Sequence, residues 1–271
     1  MTLLQSIILG IVQGISEFLP ISSSGHLVLV PYLLGWHIPP KETFVFDVLV
    51  QVATLLAVFT FFYKDIFQIV RAFLKGIIDR KPFEDEYSRL GWYIILATIP
   101  AGVIGLLFKD SIEAVFNSPR TTAMALIFTG LLLTFGELIN KDKLHKTHIS
   151  VLDALWMGLF QVLAIIPGSS RSGATITGGL TRKIKRREAA RFSFLMSIPV
   201  MLAAGLLAFL DLIKMPEFSN QISVYLAGFL TSAIVGYFSI KWLLAYLTKK
   251  SMFIFAIYCF LFGTGVLLFF H

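Results

Sequence analysis

The sequence has a single cysteine, Cys259, and few charges. Only 14% of its 271 residues are Asp, Glu, Lys or Arg, against roughly 25% in soluble domains. One thiol excludes an intramolecular disulfide, and its place in an apolar run assigns it to packing. No Lys or Arg precedes Lys41, so the N-terminus lacks the basic start of a signal peptide, and it lacks a small-residue cleavage site too. There is no lipidation motif, Walker motif, dinucleotide fingerprint or nucleophile elbow. The histidines have no zinc-ligand spacing. His37, His145, His148 and His271 fall near expected helix ends.

The alternating pattern of barrel strands is also missing. What is present is apolar: 56% of residues are hydrophobic, and the mean hydropathy is +0.81. Windows of about twenty apolar residues recur, the length that crosses a bilayer. Lipid admits only helical bundles or closed barrels, and continuous apolar runs select helices. The expected fold is an all-α, polytopic integral membrane bundle. Ten helical segments are expected, at 2–18, 23–35, 44–63, 89–108, 121–139, 150–166, 171–181, 189–213, 222–247 and 251–270. The second and seventh are too short to cross about 30 Å of hydrocarbon. The net charge of +7 reads as basic loops on the cytoplasmic side rather than as nucleic-acid binding.

The chain repeats itself. Gly10, Gln13, Ser22, Ser24 and Gly25 match Gly158, Gln161, Ser170, Ser172 and Gly173 at an offset of 148. Phe44 and Phe46 continue it at Phe192 and Phe194, and only the proline slips, from Pro20 to Pro167. One membrane domain with two repeats is expected, about 1–140 and 150–271. If segments one and two, and six and seven, are re-entrant hairpins, Lys41, Lys109, Arg120 and Lys214 fall on the side of the N-terminus. Eighteen other basic residues fall on the opposite side, with Arg171 between. The positive-inside rule therefore puts both termini outside. Each repeat crosses three times, an odd number, so the two are inverted relative to each other, an architecture that holds ligands near the midplane.

Two polar clusters interrupt the apolar sequence. The first holds Gln13, Glu17, Ser22, Ser23, Ser24, Gly25 and His26. The second, "PGSSRSGAT" from Pro167 to Thr175, holds Ser170, Arg171, Ser172, Gly173 and Thr175. An intramembrane Glu or Arg is costly and points to function. The plainer alternative is a Glu17–Arg171 ion pair that merely locks the hairpins, but such a pair has no use for so many hydroxyls and glycines. Each hairpin's second helix would start deep in the membrane, with free N–H groups and positive partial charge that suit an anion. Arg171 adds a planar fork matched to phosphate. Beside an anion, Glu17 must be protonated or hold a divalent cation, and carboxylate, amide and hydroxyl oxygens suit Mg²⁺ or Ca²⁺. His26 is a general acid or base, or simply a hydrogen-bond partner of Glu17. Asp47 and Gln51 share a helix face, and the run 181–191 is either an anionic-lipid contact or an orientation signal. Trp36, Trp92, Trp156 and Trp242 are interface anchors or core.

At the two clusters the sequence resembles the undecaprenyl-diphosphate phosphatase family, known for bacitracin resistance. The family pattern, (E/Q)xxxE, a Ser-rich turn with Gly-His, then PGxSRSxxT, reads here as Gln13 to Glu17, Ser22 to His26 and Pro167 to Thr175. Position 13 is Gln where many members have Glu, and position 24 is Ser where Thr is frequent. The resemblance implies a phosphatase of the bacterial plasma membrane, with its site facing outward. It would remove the terminal phosphate of a C55 isoprenyl diphosphate and so recycle the carrier lipid of peptidoglycan synthesis. Implied catalytic residues are Glu17, Ser23, His26 and Arg171. Ser22, Ser24, Gly25, Ser170, Ser172, Gly173 and Thr175 would hold phosphate, and Glu17 with Gln13 would hold the metal. The implied partners are the prenyl diphosphate, the bilayer and a second copy of the chain. Bacitracin would compete indirectly by binding the substrate. A transporter or flippase for a phosphorylated lipid or small anion is the alternative reading, because inverted repeats recur in transporters.

Overall fold

Apolar runs become helices here because only intrahelical bonding satisfies the backbone in lipid. The structure is a computed structural model that describes residues 1–108, 118–140, 145–166, 168–212 and 221–269. Pro167, Lys109, Lys214 and His271, used in the sequence reading, lie outside these residues. Eleven α-helices occur among the described residues: α1 (Leu3–Ser16), α2 (Ser23–Leu33), α3 (Pro40–Phe61), α4 (Tyr63–Ile78), α5 (Glu86–Leu107), α6 (Pro119–Ile139), α7 (Val151–Val162), α8 (Arg171–Thr181), α9 (Arg186–Leu212), α10 (Ile222–Tyr246) and α11 (Phe253–Phe269). A 3₁₀ turn at Leu163–Ile165 extends α7. The helices α3, α5, α6, α9 and α10 are long and apolar enough to cross a membrane. The tip helices α2 and α8 have 11 residues each, about 16 Å of rise, and fall well short.

One element differs from the sequence reading. The span expected at 44–63 ends at Phe61, and a separate helix, α4, follows at once. Its residues Phe67, Val70, Leu74, Ile77 and Ile78 are exposed apolar side chains, while Lys64, Asp65, Arg71 and Lys75 give it charge. This is the composition of a helix lying in the membrane interface. Its charges keep any window from reading as a span, and for that reason hydropathy alone gives no helix there. Leaving α4 aside, α1, α2, α3, α5 and α6 follow in the same order as α7, α8, α9, α10 and α11.

Packing follows that correspondence. Helix α1 packs on α10 as α7 packs on α5, α3 packs on α10 as α9 packs on α5, and α3 meets α9 while α6 meets α11. The matched glycines make these crossings possible. A Cβ on Gly10 would lie 2.6 Å from the Gly228 carbonyl oxygen, and one on Gly158 would lie 2.4 Å from that of Ala97. Such close approach is what small residues permit between helices in lipid, where van der Waals packing replaces the hydrophobic drive. Phe18, at the end of the first hairpin's rising helix, is fully buried and meets Phe194 edge-on at 5.4 Å.

Charge is concentrated at the basic end and is paired there. Fully buried Asp153 accepts from Lys146 Nζ at 2.6 Å and Arg182 Nε at 2.8 Å, joining the two feet of the second hairpin. Glu137 takes a two-pronged contact from Arg186, at 2.8 and 2.5 Å, and also accepts the Met252 N–H at 2.8 Å. Arg191 pairs with Asp65 and ties α4 to α9. Trp156 donates to Thr181 Oγ1 at 2.9 Å, and Trp92 packs beside Phe73 at 4.8 Å, so the first anchors a hairpin foot and the second belongs to packing.

Candidate active site

The two hairpins end in matched caps. Ser22 precedes α2, and its hydroxyl accepts the Gly25 N–H at 3.2 Å. Ser170 precedes α8, and its hydroxyl accepts the Gly173 N–H at 3.0 Å. Each cap serine also meets the serine two residues on, Ser24 at 3.5 Å and Ser172 at 3.2 Å. A capped helix start still leaves its first N–H groups without intrahelical partners. At each tip these belong to the first two helical residues, Ser23 and Ser24 or Arg171 and Ser172. Ser22 adopts φ 71°, a left-handed conformation that costs a non-glycine residue about 1–3 kcal/mol and clusters at functional sites. Gly168 at the other tip has φ 86°, and a Cβ there would stand 3.0 Å from Thr122 Cα.

The tips meet through charge. Arg171 Nη2 donates to Glu17 Oε1 at 2.6 Å, a pair whose side chains are 20% and 8% exposed. Ser23 Oγ donates to Glu17 Oε2 at 2.6 Å, and Gln13 Nε2 donates to the same oxygen at 3.0 Å. Glu17 is thus the hub of one chain of bonds from Ser23 to Arg171, and its own bond to Arg171 spans 154 positions of sequence. Ser172 Oγ reaches across to the Leu19 carbonyl at 3.3 Å. The remaining atoms are poised rather than satisfied: Gln13 Oε1, Arg171 Nη1, Ser169 Oγ and both amide atoms of Gln161 are buried without a hydrogen-bond partner. Buried polar atoms are rarely left so, and an anion with its cation would use such a set.

Two expected residues are engaged elsewhere. Thr175, fully buried, donates to the Arg171 carbonyl at 2.8 Å and meets Ser193 Oγ at 2.6 Å, so its hydroxyl braces α8 against α9. His26 makes no bond to Glu17; its Nδ1 lies 2.7 Å from the Ser22 carbonyl oxygen and its Nε2 lies 2.7 Å from the Tyr258 hydroxyl. The sequence reading missed Tyr258 and also Thr129, whose hydroxyl accepts the Ser170 N–H at 3.0 Å. Both lie in apolar runs far along the chain, with no local signal. Asp47 and Gln51 lie on α3, outside this chain of bonds.

Among the described residues no group of three His, Cys, Asp or Glu forms a metal cluster. Glu17 with the unpartnered Gln13 Oε1 gives two hard oxygen ligands, beside the Ser23 hydroxyl. That fits an ion which takes its other ligands from substrate phosphates and water, the usual habit of Mg²⁺.

A family model described as "Bacitracin resistance protein BacA" matches residues 6–265. An undecaprenyl-diphosphatase of Chlorobium phaeovibrioides is 48% identical over 99% of this chain and 97% of its own length. Proteins of the same name from Methanosphaera stadtmanae and Chloroherpeton thalassium are each 43% identical, over 96% and 98% of this chain and 95% and 96% of their own. With both hairpin tips inside the matched region, the chain belongs to the bacitracin resistance protein BacA family.

Proposed function

We infer that this chain is an integral membrane undecaprenyl-diphosphatase. It hydrolyses undecaprenyl diphosphate to undecaprenyl phosphate and inorganic phosphate. The single observation that carries the chemistry is the Ser23–Glu17–Arg171 chain of bonds between two helix N-termini. The relatives' shared name favours hydrolysis over the transporter alternative.

In the mechanism we propose, Arg171 turns from Glu17 to the diphosphate, and the tip N–H groups bind its remaining oxygens. Ser23 attacks the terminal phosphorus, or orients a water that does so. Its proton passes to Glu17 Oε2, already its acceptor at 2.6 Å. The anhydride bond breaks and the lipid monophosphate leaves; on the serine route a water, giving its proton to His26, then cleaves the Ser23–phosphate bond and releases inorganic phosphate. Positioning and electrostatics supply most of the rate in phosphoryl transfer. Glu17 and Gln13 would hold a Mg²⁺ or Ca²⁺ ion, which would neutralise phosphate charge.

The same reading places the chain in the bacterial plasma membrane as two inverted repeats, with the tips open to the outer side. The prenyl tail lies along lipid-facing helices. Bacitracin acts on the reaction by sequestering the diphosphate, and a second copy of the chain is a candidate partner. The test is phosphate release from a long-chain prenyl diphosphate by detergent-purified protein, with no transmembrane gradient. Release abolished by EDTA is expected. Release indifferent to EDTA removes the metal, and no release at all returns the case to transport.

A further inference from the structure

His26 draws its partners from opposite ends of the chain. The Ser22 carbonyl can only accept, so Nδ1 carries the ring proton and donates it across 2.7 Å. In the neutral ring Nε2 is then a bare lone pair, and the Tyr258 hydroxyl 2.7 Å away must be its donor. Tyr258 belongs to α11, 232 positions from His26. The rings of His26, Tyr258 and Phe262 stack with interplanar angles between 9° and 14°, which holds the imidazole plane. The left-handed backbone of Ser22 serves the other end, because its carbonyl is the Nδ1 acceptor. One tautomer and one orientation are therefore fixed at both nitrogens.

Tyr258 does more than pack. It is 38% exposed, whereas its neighbour Cys259 is fully buried with its thiol 3.8 Å from the Pro20 carbonyl oxygen. A phenylalanine would fill the same space. The hydroxyl is what reaches inward, and His26 is where it ends.

Resting on the diphosphatase reading above, in which Glu17 serves the Ser23 attack and His26 the later water attack, we propose that Tyr258 is a positioning residue of the reaction. It holds neutral His26 as the Nδ1–H tautomer with the Nε2 lone pair fixed in place. A phenol oxygen both donates and accepts. When Nε2 takes the proton of the attacking water, the Tyr258 O–H turns away and its oxygen accepts from Nε2–H. The contact thus serves both protonation states of the ring.

The experiment uses the full-length chain with Tyr258→Phe and His26→Gln, singly and together. Phosphate release is resolved into kcat and KM. Tyr258→Phe is expected to lower kcat about tenfold with KM unchanged, within the usual range of acid–base contributions. In the His26→Gln background it is expected to cost nothing more, because two residues acting through one contact are not additive. In ¹⁵N-histidine spectra, the signal lost in His26→Gln should be a single Nδ1–H tautomer in the unsubstituted chain and a mixture in Tyr258→Phe. Equal losses in both backgrounds, with a lowered melting temperature, would mark packing alone and overturn the proposal. Full activity of Tyr258→Phe or of His26→Gln overturns it too. If the unsubstituted chain releases no phosphate, the diphosphatase reading fails instead, and the tautomer measurement still decides the Tyr258–His26 contact.

Discussion

The two hairpins share their scaffold and differ in their chemistry. Ser22, Ser24 and Gly25 recur as Ser170, Ser172 and Gly173, and in both tips they build the same helix cap. The residues that do not recur are those to which the proposed mechanism gives reactive roles. At the same offset, Ile165 answers to Glu17 and Ala174 to His26. Ser23 and Arg171 occupy one equivalent position, the first residue of each tip helix. One copy of that position offers a hydroxyl, and the other offers a guanidinium. Matching helix starts thus carry a hydroxyl beside a carboxylate at one tip and a guanidinium at the other.

The largest expected effect breaks the asymmetry. Arg171→Ala leaves Glu17 buried beside no cation, and removing one partner of a buried pair costs about 3–5 kcal/mol. Loss of a charge stabiliser in the transition state costs about 10²–10³-fold in rate. Phosphate release should fall by at least that factor, and thermal unfolding in detergent should drop with it. A variant as active as the unsubstituted chain would leave the ion pair as a lock alone. The shared scaffold is sharpened by Gly10→Ala and Gly158→Ala. Each adds a Cβ where a backbone oxygen stands 2.6 or 2.4 Å away, and overpacking of this kind costs about 1–3 kcal/mol. Similar losses from the two substitutions, read by thermal unfolding, are expected if the two crossings are equivalent. The smallest effect is the cap: Ser170→Ala removes one side-chain cap, worth about 1 kcal/mol. Ser22→Ala should cost the same in stability, and unequal losses would show that the strained backbone of Ser22 sets the two caps apart.

Much of this was legible without coordinates. The span at 121–139 and the tip helix 171–181 needed almost no change, because an apolar run has few alternatives in lipid. The serines and glycines of the tips were legible as residue types, and the structure shows Ser22 and Ser170 as the caps. The amphipathic α4 escaped a search for apolar windows because its charges alternate with its apolar face. The site was half legible. Glu17 and Ser23 stood out as polar residues in an apolar run, but the bonds of the Thr175 hydroxyl to the Arg171 carbonyl and Ser193 did not, because nothing in its motif tells where its hydroxyl turns.

The sequence by itself determined the medium, the helical class, the short tip helices and the residue types gathered at the tips. Hydropathy, length and capping act over a few turns, and a linear chain carries them fully. Only the tertiary structure decided that Glu17 meets Arg171, that Ser23 hands its hydrogen bond to Glu17, and that His26 belongs with Tyr258. Those contacts join positions as far apart as 232 residues. They depend on helix crossings set by where two glycines let backbones touch, and no local pattern encodes that geometry.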